Sequence, residues 1–217
     1  MSAVDASATA AVAVRPRFRR SRLLTDPLVA GLWIAFGASN FEAWQSAHRP
    51  VGLGTTILEV IFAGLFLFRR SPWVTSRSPA VWAVSAGGAF GMLAARPHYA
   101  PVLGLGAVYV ALQLAGAAFA AVSLLSLGRS FGVVAANRGI RTGGAYRIVR
   151  HPIYAGYALS DLGYVLENPK ATNVALALAV LVFQVLRIRA EEQCLLGDAE
   201  YVRYARVVRH RLVPGVW

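Results

Sequence analysis

The sequence is poor in charged residues and contains a single cysteine. Only 15% of its 217 residues are charged, whereas about a quarter are charged in a typical soluble domain, and 57% are hydrophobic. The mean hydropathy is positive, at +0.52. Cys194, which lies in an apolar run, excludes an internal disulfide and is interpreted as a small packing residue. This composition is typical of an integral membrane protein.

Several other signals are missing from the sequence. No cluster of His and Cys has the spacing of metal ligands, so no metal is expected. There are no two similar halves with broken helices, as in many secondary transporters. Residues 1–14 have no preceding basic stretch, so they are not interpreted as a signal peptide. The net charge is +12, but the basic residues do not form a face that alternates with aromatic residues. This distribution argues against a nucleic-acid partner.

Six apolar runs predict an all-α fold, a polytopic transmembrane bundle of about five to six membrane helices. The fifth run has 14 residues and reaches only about 21 Å, less than the ~30 Å hydrocarbon core. We therefore expect it to be tilted, partly interfacial or packed inside the bundle. The predicted runs cover about 28–46, 52–68, 79–95, 101–127, 153–166 and 171–188.

The positive residues are distributed unevenly between the two predicted membrane faces. With the N-terminus inside, 19 of the 22 Lys and Arg residues fall on the cytoplasmic side, and Arg49, Arg96 and Lys170 fall outside. By the positive-inside rule, both termini are expected in the cytoplasm, and the membrane is expected to be a bacterial inner membrane. Residues 1–22 are predicted to form a mobile basic tail.

A few polar residues lie in or near the apolar runs, where a carboxylate costs about 2.5–3.5 kcal/mol at the bilayer centre. These residues are Glu59, Asp161, Asn40 and Glu42. Two explanations remain open: a protonated or interhelically bonded side chain that helps packing, or the polar wall of a substrate cavity.

The stretch "RIVRHPIYAGY" leads into the fifth apolar run. Pro152 fits the first turn of a helix, which places His151 at or just before the N-cap. The free backbone N–H groups there, together with Arg147 and Arg150, would form an anion site. Tyr154 lies one helical turn after His151. The alternative is that the arginines only anchor the helix at lipid headgroups.

A second charged cluster follows the sixth run, at "RIRAEE". Arg187 and Glu191 are spaced i, i+4 and can pair on a helix, whereas Glu192 lies on a different face. The predicted topology brings this acidic pair to the same side as the basic stretch, and such a site suits a zwitterion such as an amino acid head group. The alternative is an interfacial helix with ordinary salt bridges.

With these two clusters, the sequence resembles the isoprenylcysteine carboxyl methyltransferase and phospholipid methyltransferase superfamily of membrane methyltransferases. The resemblance covers roughly residues 127–217, and residues 23–126 then form scaffold helices. The segments that carry it are "LGRSF" (127–131), "GGAYRIVRHPIYAGY" (143–157), "RIRAEE" (187–192) and "GDAEYVRYARVVRHRLVP" (197–214).

The resemblance implies that S-adenosyl-L-methionine binds in a cytoplasmic pocket built by the C-terminal half. Arg187 is then expected either to orient the methyl acceptor, as a catalytic residue, or to hold the acidic pair. The residues that the resemblance assigns to the cofactor are Tyr146, Arg150, His151, Tyr154, Glu191 and Glu192.

The function that the resemblance implies is methyl transfer to a lipophilic acceptor, either an isoprenylcysteine-like carboxylate or another lipid-like small molecule. The expected partners are that acceptor and membrane lipids, with no obligate protein partner. The alternatives are a sterol-reductase-like NADPH-dependent oxidoreductase and a non-catalytic membrane protein. The adjacent glutamates favour the methyltransferase.

Overall fold

A computed structural model describes residues 22–217 except 73, 77 and 99, so almost all of the predicted basic tail lies outside the described residues. The described chain forms seven α-helices and one small antiparallel sheet, in which Val74 pairs with Asn137. The helices are α1 (Arg22–Ala47), α2 (Pro50–Leu67), α3 (Pro79–Phe90), α4 (Gly106–Leu127), α5 (Pro152–Glu167), α6 (Ala171–Leu195) and α7 (Ala199–Val207), and the strands are β1 (Val74–Thr75) and β2 (Ala136–Asn137).

Local sequence explains where several helices begin. Pro50, Pro79 and Pro152 occupy the first turns of α2, α3 and α5, where a missing N–H costs no intrahelical hydrogen bond. The first turn of α7 is capped by Asp198, whose carboxylate accepts a hydrogen bond of 2.9 Å from the backbone N–H of Glu200. The predicted helix start at Pro152 is therefore confirmed.

The predicted all-α membrane fold is confirmed, because each of the six apolar runs coincides with one of α1 to α6. Among the described residues, three helices are long and apolar enough to cross a membrane: Pro50–Leu67, Gly106–Ser130 and Ala171–Leu195. The apolar segment Pro79–Ala94 is shorter. α5 has 16 residues and a length of about 24 Å, so it is shorter than a bilayer core, as predicted.

Glycines allow α4 and α5 to pack with their backbones almost in contact. A Cβ atom on Gly116 would lie 2.5 Å from the backbone nitrogen of Ser160, and one on Gly156 would lie 2.7 Å from the carbonyl oxygen of Gly116. Small residues are what lets helices approach this closely in membranes. This contact fixes the position of α5, whose first turn carries the predicted site.

Gly87 of α3 and Gly91, which directly follows this helix, allow a similarly close contact with α6. A Cβ atom on Gly87 would lie 2.6 Å from the ring of Phe183, and one on Gly91 would lie 2.4 Å from Val180. The spacing of these two glycines, four residues apart, thus gives a close contact with α6.

The polar residues of the first two helices bond to each other. The Asn40 side chain on α1 donates hydrogen bonds of 3.1 and 3.2 Å to the two carboxylate oxygens of Glu59 on α2. This confirms interhelical bonding for Asn40 and Glu59. Glu42 is exposed, and Asp161 lies partly buried on α5.

The main apolar core lies between the long helices, towards the end of the bundle where α5 begins. Trp33 of α1 stacks on Phe62 of α2, which in turn contacts the rings of Phe131 and Tyr157. Ile188 of α6 is completely buried in the same cluster. The core therefore ends directly beneath the charged clusters.

Candidate active site

A cavity opens at the end of the bundle where α5 begins and α6 ends. One side of its lining is polar and charged, and the other is aromatic and apolar. The segment between α4 and α5 closes it laterally, and α7 contributes Tyr201 and Tyr204. The cavity is thus enclosed by elements far apart in sequence.

The structure brings all seven predicted site residues together. Six of them line the cavity, and Glu192 lies next to it but is not part of its lining. The six are Tyr146, Arg150, His151, Tyr154, Arg187 and Glu191.

The first turn of α5 is fixed by segment 208–217, which we call the closing segment. His151 is the N-cap of α5, as predicted. The backbone N–H groups of Arg150 and His151 donate hydrogen bonds of 2.9 Å to the carbonyl oxygens of His210 and Arg211. These bonds hold the polypeptide before α5 in place without using the side chains.

Glu192 is the centre of an ion-pair network. Its Oε1 atom lies 2.8 Å from Nε of Arg150 and 3.3 Å from Nε2 of His151, and its Oε2 atom accepts a hydrogen bond of 2.8 Å from Nε of Arg211. One carboxylate of α6 therefore ties together the start of α5 and the closing segment.

The guanidinium of Arg150 is also bonded to backbone. Its Nη1 atom donates to the carbonyl oxygens of Val208 and Arg209, at 3.1 and 2.9 Å. Most of the N–H groups of the Arg150 side chain are therefore used in hydrogen bonds to Glu192 and to the closing segment. Its contribution to the predicted anion site is a positive charge at the cavity edge.

Glu191 borders the cavity itself. Its Oε1 atom accepts a short hydrogen bond from the Tyr154 hydroxyl and one of 3.2 Å from Nε of Arg187. Its Oε2 atom lies 3.7 Å from Nδ1 of His151. The side chain is 20% exposed, compared with 11% for Glu192. Glu191 is thus a held carboxylate with surface left for a ligand.

The His151 imidazole lies between the two acids, because its two nitrogens face different carboxylates, Nε2 facing Glu192 and Nδ1 facing Glu191. Its ring also stacks on Tyr154, with centroids 5.8 Å apart and an angle of 17°. The spacing on the first turn of α5 therefore produces the predicted shared face of His151 and Tyr154.

Arg187 is buried in the cavity wall, and its predicted pairing with Glu191 is confirmed. Its Nη2 atom donates a hydrogen bond of 3.3 Å to the carbonyl oxygen of Gly132, and its guanidinium carbon lies 4.9 Å from the centre of the Tyr154 ring. These contacts hold one of the two acids, Glu191, and the expected role of Arg187 in orienting the acceptor stays a prediction.

A tyrosine cluster forms the wall on the α7 side. Tyr146 packs with Tyr201, Tyr204 and Val208, and the Tyr204 hydroxyl donates a hydrogen bond of 2.7 Å to the carbonyl oxygen of Tyr146. Burial raises the pKa of Tyr146 and of Tyr204 well above that of a free phenol. Both side chains are therefore neutral hydroxyls at physiological pH.

Two parts of the cavity lining were missed by sequence reasoning. Trp33, Phe62 and Ala89 come from α1, α2 and α3, which match known families only as generic apolar helices. Arg138 lies in the segment before α5, where its guanidinium is 2.3 Å from the position of a Cβ atom on Gly132. The spacing of apolar residues along the sequence does not distinguish the wall of a cavity from an ordinary hydrophobic core. The four intramembrane polar residues singled out from the sequence are not part of this lining.

The residues present fit S-adenosyl-L-methionine. Its amino acid part carries one ammonium and one carboxylate, and the cavity edge offers the Glu191 carboxylate beside the guanidinium groups of Arg150 and Arg187. The aromatic lining matches the apolar and planar parts of such a ligand.

The fold defines a helical integral membrane protein, and this cavity with charged groups in its lining lies at one end of the bundle. Residues 101–197 match the phospholipid methyltransferase family. This segment contains all seven predicted site residues, so the resemblance drawn from the sequence motifs is confirmed there. The match supports a membrane methyltransferase.

A solved structure is also similar to this chain, namely that of the eukaryotic intramembrane Ras methyltransferase, isoprenylcysteine carboxyl methyltransferase. The two sequences are 18% identical, the similarity covers 90% of this chain and 77% of that chain, and the TM-score is 0.48. Among curated proteins, none matches this chain significantly.

Proposed function

We propose that this protein is an S-adenosyl-L-methionine-dependent methyltransferase that acts on a lipophilic acceptor in the membrane. The observation that carries the proposal is Glu191, a partly exposed carboxylate held at the edge of a cavity that is rich in aromatic side chains. The match of residues 101–197 to phospholipid methyltransferases supports the same reaction class.

In this proposal, Glu191 accepts a hydrogen bond from the ammonium group of the cofactor. Tyr154 and Arg187 hold the carboxylate in position, since both bond to its Oε1 atom and leave Oε2 more open. S-adenosyl-L-methionine supplies an electrophilic methyl group on a sulfonium when it is bound. Positive charge from Arg150 favours the carboxylate that the cofactor carries on the same carbon as this ammonium.

The remaining task of the chain is to align the acceptor and to exclude water. Phe62, Phe131 and Tyr157 form an apolar wall next to the charged edge, and this wall would receive the lipophilic acceptor. An ionised carboxylate or thiolate acceptor needs no general base, so Arg187 would act by orienting groups rather than by moving a proton.

The proposal includes an orientation in the membrane. Both termini and the cavity would face the cytoplasm of a bacterial inner membrane, where the soluble cofactor is available. The acceptor would enter between helices from the bilayer, and membrane lipids would be the other partners. Helices within residues 23–126 would act as scaffold, and residues 127–217 would bind the cofactor.

Ligand binding by purified protein in detergent tests the proposal. Calorimetry with S-adenosylhomocysteine and with NADPH, followed by transfer of a labelled methyl group into a membrane lipid extract, covers both enzyme classes. We expect binding of S-adenosylhomocysteine and labelled lipid product. Binding of NADPH alone would favour the reductase alternative, and binding of neither would favour a non-catalytic protein.

A further inference from the structure

The aromatic end of the cavity contains a polar group that has no partner. Trp33 lines the cavity and is 6% exposed. Its indole Nε1–H has no hydrogen-bond partner among the described residues. A buried tryptophan N–H is normally paired, because burying a donor without an acceptor costs free energy. The unpaired donor at a cavity wall therefore needs an explanation.

Aromatic neighbours fix the position of this indole. Its ring stacks on Phe62, with centroids 4.7 Å apart and an angle of 14°, and it contacts Phe90 at 5.1 Å and the edge of Phe36 at 6.5 Å. These rings come from three different helices. Rotation of the indole towards a distant acceptor would break the stack, so a partner must come to the ring.

No charged group of the cavity pairs with this indole among the described residues. Glu191 bonds to Tyr154 and Arg187, and Glu192 bonds to Arg150 and Arg211. The neighbouring lining of Phe62 and Ala89 has no side-chain acceptor. A ligand atom that enters the cavity is the remaining source of an acceptor.

We infer that the Trp33 indole N–H binds an oxygen atom of the methyl acceptor, and that the acceptor is a lipophilic molecule with a hydrogen-bond-accepting oxygen next to its apolar chain. The inference rests on the proposed function and narrows its substrate class. A carboxylate, carbonyl or hydroxyl oxygen satisfies the indole, whereas a protonated amine has no lone pair to offer.

Single-chain lipids that differ only in their head group test this inference. Radiolabelled tetradecanoate, tetradecan-1-ol and tetradecylamine are bound to the full-length protein in detergent, and the wild type is compared with Trp33→Phe. The variant removes the N–H and keeps an aromatic ring in the stack. We expect about tenfold weaker binding of tetradecanoate, about threefold weaker binding of tetradecan-1-ol and unchanged binding of tetradecylamine.

Trp82→Phe is the matched control. Its indole N–H donates a hydrogen bond of 3.1 Å to the carbonyl oxygen of Ser76, and its side chain is not part of the cavity lining. This variant should bind all three lipids as the wild type does. Equal weakening of all three lipids by Trp33→Phe would mean a packing role and would overturn the inference, as would unchanged binding or no binding of either oxygen-bearing lipid to the wild type.

A parallel measurement of S-adenosylhomocysteine affinity separates this inference from the proposed function. If Trp33→Phe affects all three lipids equally while the wild type still binds S-adenosylhomocysteine, only the role of Trp33 is contradicted. Failure of the wild type to bind S-adenosylhomocysteine contradicts the methyltransferase proposal. The head-group comparison itself requires no cofactor, so it decides the role of Trp33 in either case.

Discussion

Two adjacent glutamates at the end of α6 have different surroundings. Glu191 faces the cavity and bonds to groups in its wall, whereas Glu192 faces the closing segment and pairs with two arginines. Successive residues on a helix point about 100° apart, so one acid faces the cavity and its neighbour faces the rest of the protein. Substitution of each residue should therefore affect different properties.

Glu191→Gln should weaken cofactor binding and destabilise the protein less than Glu192→Gln, because the hydrogen bonds from Tyr154 and Arg187 both reach Oε1, which an amide oxygen can replace. The change removes the charge that the proposal assigns to the ammonium, and a charge-assisted hydrogen bond contributes about 1.5–3 kcal/mol. We expect at least a tenfold loss of S-adenosylhomocysteine affinity by calorimetry, with a smaller fall in melting temperature than for Glu192→Gln. Wild-type affinity would exclude Glu191 from the cofactor site.

Glu192→Gln should mainly reduce stability. The side chains of Glu192 and Arg150 are 11% and 8% exposed, and breaking a buried ion pair leaves an uncompensated charge. We expect a loss of about 3 kcal/mol and a clearly lower melting temperature in detergent. A variant that melts like the wild type but binds the cofactor weakly would instead place Glu192 in the ligand site.

Sequence reasoning found both acids but did not separate their surroundings. Spacing predicted the Arg187–Glu191 pair, since that contact lies within one helix turn. The partners of Glu192 come from α5 and the closing segment, at separations of 42 and 19 residues. Such contacts depend on tertiary packing, which local spacing does not encode.

At the scale of elements, the α4–α5 pair depends on backbone contact rather than on side-chain interlock. Gly116 meets the backbone of Ser160, and backbone atoms cannot move aside as the end of a flexible side chain can. The helix that carries His151 and Tyr154 is held by this contact. A change at Gly116 should therefore affect both stability and the site.

Gly116→Ala should destabilise the bundle. The new Cβ atom would lie 2.5 Å from the Ser160 nitrogen, so α4 and α5 must separate. Overpacking of this kind costs about 1–3 kcal/mol. The melting temperature of the variant in detergent measures this loss of stability.

Gly64→Ala on α2 is the matched control, because nothing lies within 4 Å of its Cβ position. It should melt at or slightly above the wild-type temperature, since alanine favours a helix over glycine. Equal melting temperatures of the Gly116→Ala and Gly64→Ala variants would contradict the close α4–α5 contact.

Helix positions were largely predictable, and the connecting segments were not. Long apolar runs and prolines at first turns mark the helices. The path of the segment between α4 and α5 has no such periodic signal, although it places Arg138 against Gly132. The backbone hydrogen bonds from Arg150 and His151 to the closing segment could not be predicted from the sequence either, because every residue other than proline has the same backbone groups.

At the scale of the whole molecule, charge asymmetry sets the expected orientation. The excess of Lys and Arg on one face predicts that the cavity end lies in the cytoplasm. The structure places the ion-pair network around Glu192 at the same end as the closing segment. The side of the membrane on which Trp217 lies is therefore also the side on which the cavity lies.

A reporter that is active only outside the cytoplasm, fused after Trp217, should be inactive in cells. A reporter that is active only inside should give signal at the same position. The paired fusions exclude poor expression as an explanation. Strong activity of the outside reporter would reverse the orientation and place the cavity away from the soluble cofactor.

The bonds between the start of α5 and the closing segment have a consequence for biosynthesis. Trp33 and Phe62, on one side of the cavity, belong to helices that are translated early, whereas the bonds from Arg150 and His151 to His210 and Arg211 need about 60 further residues. Membrane insertion of α1 to α6 can therefore precede completion of the ligand site. A nascent chain halted after α6 would be integrated in the bilayer but would lack the bonds that order its binding site.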